Sequence, residues 1–369
     1  MSLVFMERTA LLSMMVLLML TGCQINLFDK SITPTPTSNG RATGTFLIDG
    51  WRIDTAYRGT NYKSYISQFV NEQVGYIASV NYADILKTTD GGLTWTTQPT
   101  PLVEGRAYPR DIEFIDENTG FISYHNTEGC PTNCRRLYSL LTTINGGKTW
   151  TVVQAKEQGT LQTIHFTSAN NGVAVATEGV SSSQLSPVLL HTTDGGKSWQ
   201  KDPGFAPDVY SNGLYFLNAQ VGYLTNSQLK TVSVTSDGGQ TWQFVSSALP
   251  ADVSYQPFLF TDAQKGFVAG YNGLYRTTDG GRNWATVWTG STNLIGFVNA
   301  REGFAVRTVT DYPNDVPDAD RELRHTLDGG QTWKAYPQVY NLDVSPVQFV
   351  SDRVGYGTRG NMVLKWSRR

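Results

Sequence analysis

Thr88-Thr89-Asp90-Gly91-Gly92-Leu93-Thr94-Trp95 decides the fold, because the chain repeats it. Variants end at Trp150, Trp199, Trp242, Trp284 and Trp333, a recurrence every 40 to 55 residues. Self-similarity at such a period is the mark of stacked structural units, each too small to bury a core alone. The phrase reads as a turn. Asp90 is placed to accept hydrogen bonds from turn amides, Gly91-Gly92 permits left-handed backbone angles, and Trp95 supplies a ring to pack between sheets. The equivalent acceptors are Asn145, Asp194, Asp237, Asp279 and Asp328. Asparagine keeps the acceptor that a turn needs but lacks the ionisable group that catalysis needs. The repeated aspartates therefore read as scaffold. Calcium-binding β-helix repeats also combine glycine and aspartate, but at a much shorter period, so no metal is expected here.

A second phrase opens each unit, as in Phe69 to Tyr76, Phe114 to Phe121 and Phe216 to Tyr223, with further glycines at Gly172, Gly266, Gly303 and Gly355. Seven such phrases face six Asp/Asn-Gly-Gly turns. After Gly355 the chain ends soon beyond Met362 to Trp366, which resembles Asp84 to Thr88, the strand before the first turn. At the other end Trp51 lies 18 residues before Phe69, much as Trp95 lies 19 before Phe114, with Asp49-Gly50 as the remnant of a turn. The N-terminal segment thus supplies the strand that the last unit lacks, and joining the ends removes free sheet edges. Strands are expected near Tyr65 to Val70, Gly75 to Val80, Ile85 to Thr89 and Trp95 to Gln98. Four short strands per unit make an all-β, seven-bladed propeller over residues 44–369.

The N-terminus carries an address. Arg8 precedes an apolar run from Ala10 to Leu20, too short to span a bilayer, which ends in Leu20-Thr21-Gly22-Cys23. Residues 1–23 read as a signal peptide, Met6 being a second candidate start. Leu-Thr-Gly-Cys resembles the lipobox of bacterial lipoproteins, which implies acylation at Cys23; the alternative is a secreted protein cut nearby. Gln24 is not the aspartate that marks inner-membrane retention in many Gram-negative bacteria, so the outer membrane or cell surface is favoured. Residues 24–43, with Thr-Pro-Thr-Pro-Thr-Ser-Asn-Gly at their centre, read as a tether reaching roughly 60 Å at about 3.1 Å per residue. Outside the cytoplasm Cys130 and Cys134 are expected to form a disulfide, a two-thiol metal site being the rival. A net charge of −2 argues against a nucleic-acid partner.

The turn resembles the Asp-box, or BNR repeat, of sialidases, sortilin-type receptors and glycan-cleaving propellers. The tandem pattern of a Gly-Tyr/Phe strand followed by Leu-x-x-Thr-x-Asp-Gly-Gly-x-Thr-Trp is most similar to the photosystem II stability/assembly factor family. That resemblance implies a seven-bladed, exported and sometimes lipid-anchored propeller that holds membrane proteins during assembly.

Loop lengths single out one face. From blade glycine to turn acceptor there are 15 residues for Gly75 to Asp90 and Gly222 to Asp237, and 13 for Gly266 to Asp279. The spans Gly120 to Asn145, Gly172 to Asp194 and Gly303 to Asp328 are longer, at 25, 22 and 25. In a four-stranded meander this extra chain projects opposite the Asp-Gly-Gly turns, and long loops on a rigid ring concentrate binding. The candidate face comprises Arg135, Arg136 and Tyr138 in the second unit, with Tyr312, Asp315, Asp318 and Arg321 in the sixth. Asp311 to Asp320 lacks the glycine and terminal glutamate of an EF-hand. As to catalysis, Arg52-Ile53-Asp54 is no substitute for the sialidase Arg-Ile-Pro signature. A glycosidase needs two carboxylates roughly 5 to 9.5 Å apart, and Asp111, Glu113 and their neighbours are where spacing in sequence leaves such a pair open. His125, His165, His191 and His325 fall at unrelated points of the repeat. The resulting expectation is a non-catalytic, cofactor-free scaffold or assembly factor that binds a protein in the membrane or envelope. The alternative is a cell-surface glycan binder or glycoside hydrolase.

Overall fold

The structure is a computed structural model that describes residues 46–58, 65–79, 84–102, 107–126, 137–178, 186–202, 213–226, 230–246, 249–251, 258–308, 321–336, 347–359 and 361–369. Cys23, the expected signal peptide and the expected tether lie outside these residues, as do Cys130 and Cys134. The described strands form seven antiparallel sheets within the compact unit Pro36–Arg369. The first blade consists of Tyr65–Phe69, Gly75–Ser79, Ile85–Thr88 and Thr96–Gln98, within a residue of expectation at each boundary. Five more four-stranded blades begin at Ala107, Thr160, Leu214, Phe258 and Thr292.

The phrase that opens each blade is explained by packing. At the fifth blade, a Cβ on Gly266 would sit 2.8 Å from the ring of Phe260, the last residue of the preceding strand. That ring lies over the glycine because it must also reach the neighbouring blade, where Tyr223 stacks on it at 3.5 Å and 1°. The same exchange recurs round the ring. Tyr76 stacks on Phe114 at 3.6 Å, Phe121 on Phe166 at 3.6 Å, Phe267 on Phe297 at 4.7 Å and Tyr356 on Phe69 at 3.4 Å. Between the sixth and seventh blades Phe304 faces Phe349 at 6.0 Å. Between the third and fourth, Val173 holds the aromatic position and His165 stacks on Phe216 instead, at 3.7 Å. Tyr356 on Phe69 joins the last blade to the first, so the seams close a circle. Side chains packed on both sheet faces explain why clean alternation is absent from the second strands, which are buried along their length in the first and fourth blades.

The last blade shows how the ends meet. Gln348–Phe349, Val354–Arg359 and Met362–Arg368 are completed by Trp51–Arg58, paired antiparallel from Trp51↔Arg368 to Arg58↔Met362. A fifth strand, Phe46–Ile48, is added outside it. Asp49-Gly50 is the two-residue hairpin between these last two, with φ of 43° and 80° as a type I′ turn requires. It is not the repeated turn, because Asp49 itself takes a positive φ and its carboxylate faces His325 and Lys334 rather than groups of its own turn. Register also corrects the placing of Trp51. Lys365 lies opposite Asp54 where Lys87 lies opposite Thr96, so Trp51 is three residues ahead of the equivalent position and Trp95 is one. Even so, Trp51 lies edge-on to Phe349 at 5.4 Å, as Trp95 lies edge-on to Phe69 at 5.9 Å.

Candidate functional site

The propeller presents two faces of different character. On one, the Asp-Gly-Gly turns are closed on themselves. Asp90 Oδ1 accepts from the Thr94 amide at 2.9 Å and from Thr88 Oγ1 at 2.8 Å, while Thr94 Oγ1 donates to Oδ2 at 2.6 Å. Gly91 and Gly92 hold φ of 70° and 89°. Hydrogen bonds, led by the Thr94 hydroxyl, hold the Asp90 carboxyl down at about 2. Asn145 makes the same turn: Oδ1 accepts from the Thr149 amide at 3.0 Å, and Nδ2 donates to Thr149 Oγ1 at 2.8 Å. Trp95 is in edge contact with Tyr57 of the preceding blade as well as with Phe69 of its own, which puts its ring in the seam.

The strands that border the three long loops end on the opposite face. The loop tips, 127–136, 179–185 and 309–320, lie outside the described residues, and with them Arg135, Arg136, Tyr312, Asp315 and Asp318. Arg321 opens the strand Arg321–Thr326, opposite Thr308. Tyr138 is 1% exposed, so it is not a surface contact residue but a strut. Its hydroxyl donates to Glu178 Oε1 of the next blade at 2.6 Å, and Glu178 Oε2 accepts from Lys201 at 2.7 Å. Under the sixth-blade loop is a group that sequence reasoning missed. Arg324 donates from Nε and Nη2 to Glu322 Oε2, at 2.9 and 2.7 Å, with its guanidinium 5.0 Å from the ring of Trp288 in the fifth blade. Arg307 Nε donates to the Thr289 carbonyl at 2.9 Å. The i,i+2 spacing of Glu322 and Arg324 was legible; the partners across the seam were not.

The innermost strands answer the question of the carboxylate pair. Asp111 Oδ2 accepts from the Ile164 amide and Oδ1 from the Ile112 amide, both at 2.9 Å. Glu113 Oε2 accepts from the Phe166 amide at 2.7 Å, and Oε1 lies 2.7 Å from His165 Nδ1. Both carboxylates thus serve backbone donors of the third blade's inner strand, which has no strand beyond it towards the axis. Gln348 does the same for the Phe69 amide at 2.9 Å, and Gln68 for that of Phe114. Burial pushes the Asp111 carboxyl up to about 7 despite these bonds. Among the described residues no group of three His, Cys, Asp or Glu side chains is arranged to hold a metal ion.

A third cluster locks the closing seam. Glu302, buried at the start of a sixth-blade strand, accepts on Oε1 from Trp51 Nε1 at 2.8 Å and faces His325 Nε2 at 3.0 Å; Arg368 donates to Oε2. His325, 3% exposed, turns Nδ1 to Asp49 Oδ2 at 3.1 Å, and Lys334 donates to Asp49 Oδ1 at 3.0 Å. One buried carboxylate therefore gathers the N-terminal strand, the C-terminal strand and the sixth blade. Burial works to raise the Glu302 carboxyl, but the bonds from Arg368, Trp51 and His325 outweigh it and hold the group below its ordinary 4.5.

No protein-family model matches the chain. In sequence it is 28% identical, over 122 residues, to the photosystem II assembly lipoprotein Ycf48 of Synechococcus sp. (strain CC9902). The chain resembles Ycf48. The match covers 32% of this chain and 34% of that protein, so it spans about a third of the curated relative. In structure the propeller is similar to a YCF48 bound to D1 peptide, with a TM-score of 0.61 and 17% identity, covering 88% of this chain and 99% of that one. It is also similar to YCF48 from Cyanidioschyzon merolae, with a TM-score of 0.56 and 14% identity, covering 86% and 98%. At these identities the structural likeness to Ycf48 is one of fold, and it extends round the whole ring.

Proposed function

We propose that this chain is a non-catalytic, extracytoplasmic propeller, held to a bacterial membrane by lipid at Cys23, that binds a protein client during the assembly of a membrane or envelope complex. The observation that carries the reading is the sequence match to a lipoprotein named for photosystem II assembly, in a chain whose own Leu20 to Cys23 reads as a lipobox. The inner carboxylates support it: Asp111 and Glu113 are engaged by backbone amides of the next blade rather than held open towards a substrate. The client surface is the long-loop face, with Arg135, Arg136, Tyr312, Asp315, Asp318 and Arg321 as its polar contacts and the Cys130–Cys134 disulfide pinning the second-blade loop. The strands that border these loops are tied by Tyr138–Glu178 and Arg324–Glu322, which gives the proposed surface a fixed base.

The test is crosslinking of the native, lipidated protein in its own membrane, with mass spectrometry of what is captured. One dominant protein linked through the long-loop face is the expected result. Shortening the second- and sixth-blade loops together should abolish its capture, and unchanged capture would refute the choice of face. Cys23→Ser should move the protein from the membrane to the soluble fraction; retention there would refute the anchor.

A further inference from the structure

The seam between the third and fourth blades is joined differently from those that flank the first blade. At those two seams a tyrosine and a lysine cross over. Tyr76 donates to the Glu117 carbonyl at 3.2 Å and Lys87 to the Gly146 carbonyl at 2.8 Å. Tyr356 and Lys365 likewise donate to the Glu72 and Gly91 carbonyls, both at 3.0 Å. In the third blade the register puts Val173 opposite His191, just as Tyr76 is opposite Lys87. Valine has no hydroxyl to carry across, and His191 turns to Asp202 of its own blade at 3.3 Å. The outer half of this seam is left open as a cleft of about 940 Å³.

The walls of the cleft specify a ligand chemistry. One wall is aromatic: Phe244, 66% exposed on the fourth blade's outer strand Gln243–Ser246, and Trp242, which directly precedes that strand. The other presents Gln200, Lys201 and Asp202, while Ser233 and Gln240 line the cleft from the fourth blade. The charges are internally matched, since Lys201 is bound to Glu178 at 2.7 Å and Asp202 faces His191. An anion would meet the Asp202 carboxylate and a cation would compete with His191 for it, while the Lys201 ammonium is held away at Glu178, so neither charge is favoured. What remains are amides and hydroxyls, which both donate and accept, beside exposed aromatic surface. Sugar rings offer the complement, hydroxyls round the edge and an apolar C–H face, and the volume suits a ligand of a few rings.

We propose that this cleft is a binding site for a neutral oligosaccharide. The site is separate from the long-loop face and does not rest on the protein-binding reading. It is tested by calorimetric titration of the whole chain with cellohexaose, chitohexaose and maltohexaose in turn. One of them should bind, and Phe244→Ala should weaken it by at least about tenfold, the loss expected when a stacked ring is removed. Leu93→Ala, at a still more exposed apolar residue of the first blade's turn, should leave binding unchanged. Failure of all three sugars to bind at millimolar concentration overturns the proposal, as does binding that Phe244→Ala does not alter. Client capture in the membrane should be the same for Phe244→Ala and wild type, so the two readings fail separately.

Discussion

Glu302→Gln should loosen the ring at its closing seam. The substitution keeps the shape of the side chain and removes the charge that Arg368, Trp51 and His325 surround. Deleting one partner of an enclosed ion pair costs about 3–5 kcal/mol. Arg368 is 34% exposed, so part of its attraction is already screened, and the expected loss is about 2–3 kcal/mol. Urea denaturation reports the total. Amide exchange along Trp51–Arg58 reports the place, because this strand should open before the rest of the ring. The effect has a defined pH dependence. The folded-state pKa of Glu302 lies below 4.5, so its contribution is fully present above that value and is lost as pH falls through the folded pKa. The gap between wild type and Glu302→Gln should be constant well above pH 4.5 and close as pH falls through the folded pKa. A gap under about 0.5 kcal/mol at neutral pH, or one that persists undiminished in acid, would refute the assignment of Glu302 as the seam's lock.

Three further outcomes follow from the packing. Gly266→Ala places a methyl 2.8 Å from the buried ring of Phe260 and should cost at least about 3 kcal/mol, whereas Gly50→Ala meets nothing within 4 Å and should cost about 1 kcal/mol for its positive φ; thermal melts of the pair give the comparison. Asn145→Asp should lie within about 0.5 kcal/mol of wild type, since Thr149 Oγ1 then donates as Thr94 Oγ1 does, while Asn145→Ala should lose about 1–2 kcal/mol in the same melts. Asp111, pushed up to about 7, favours folding in its neutral form; that contribution is complete below about pH 3.8 and is lost as pH rises to about 7, so Asp111→Asn should flatten the stability profile between about pH 4 and 7.

The sequence by itself determined the ring. The spacing of the Asp/Asn-Gly-Gly turns and the glycine-led strands counted seven blades and located the missing strand at the N-terminus, because each of those residues is demanded by local geometry that repeats. The turn chemistry of Asp90 and Asn145 was legible for the same reason: every bond that Asp90 makes lies within four residues in the chain. What the sequence could not order was anything that crosses a seam. Asp49, Trp51, Glu302, His325 and Arg368 are scattered from one end of the described chain to the other, and only closure brings them together. Tyr138 looked like a surface residue of a long loop until pairing turned it towards Glu178. Spacing alone could not show whether Asp111 and Glu113 form a carboxylate pair; the structure binds both to the next blade's amides. The cleft beside Phe244 likewise lies between two repeats, with Gln200 and Asp202 on one wall and Ser233 and Phe244 on the other, and it exists only against the neighbouring sheet. Repeats encode their own turns, but a seam belongs to two repeats at once, and its chemistry is fixed only when both are in place.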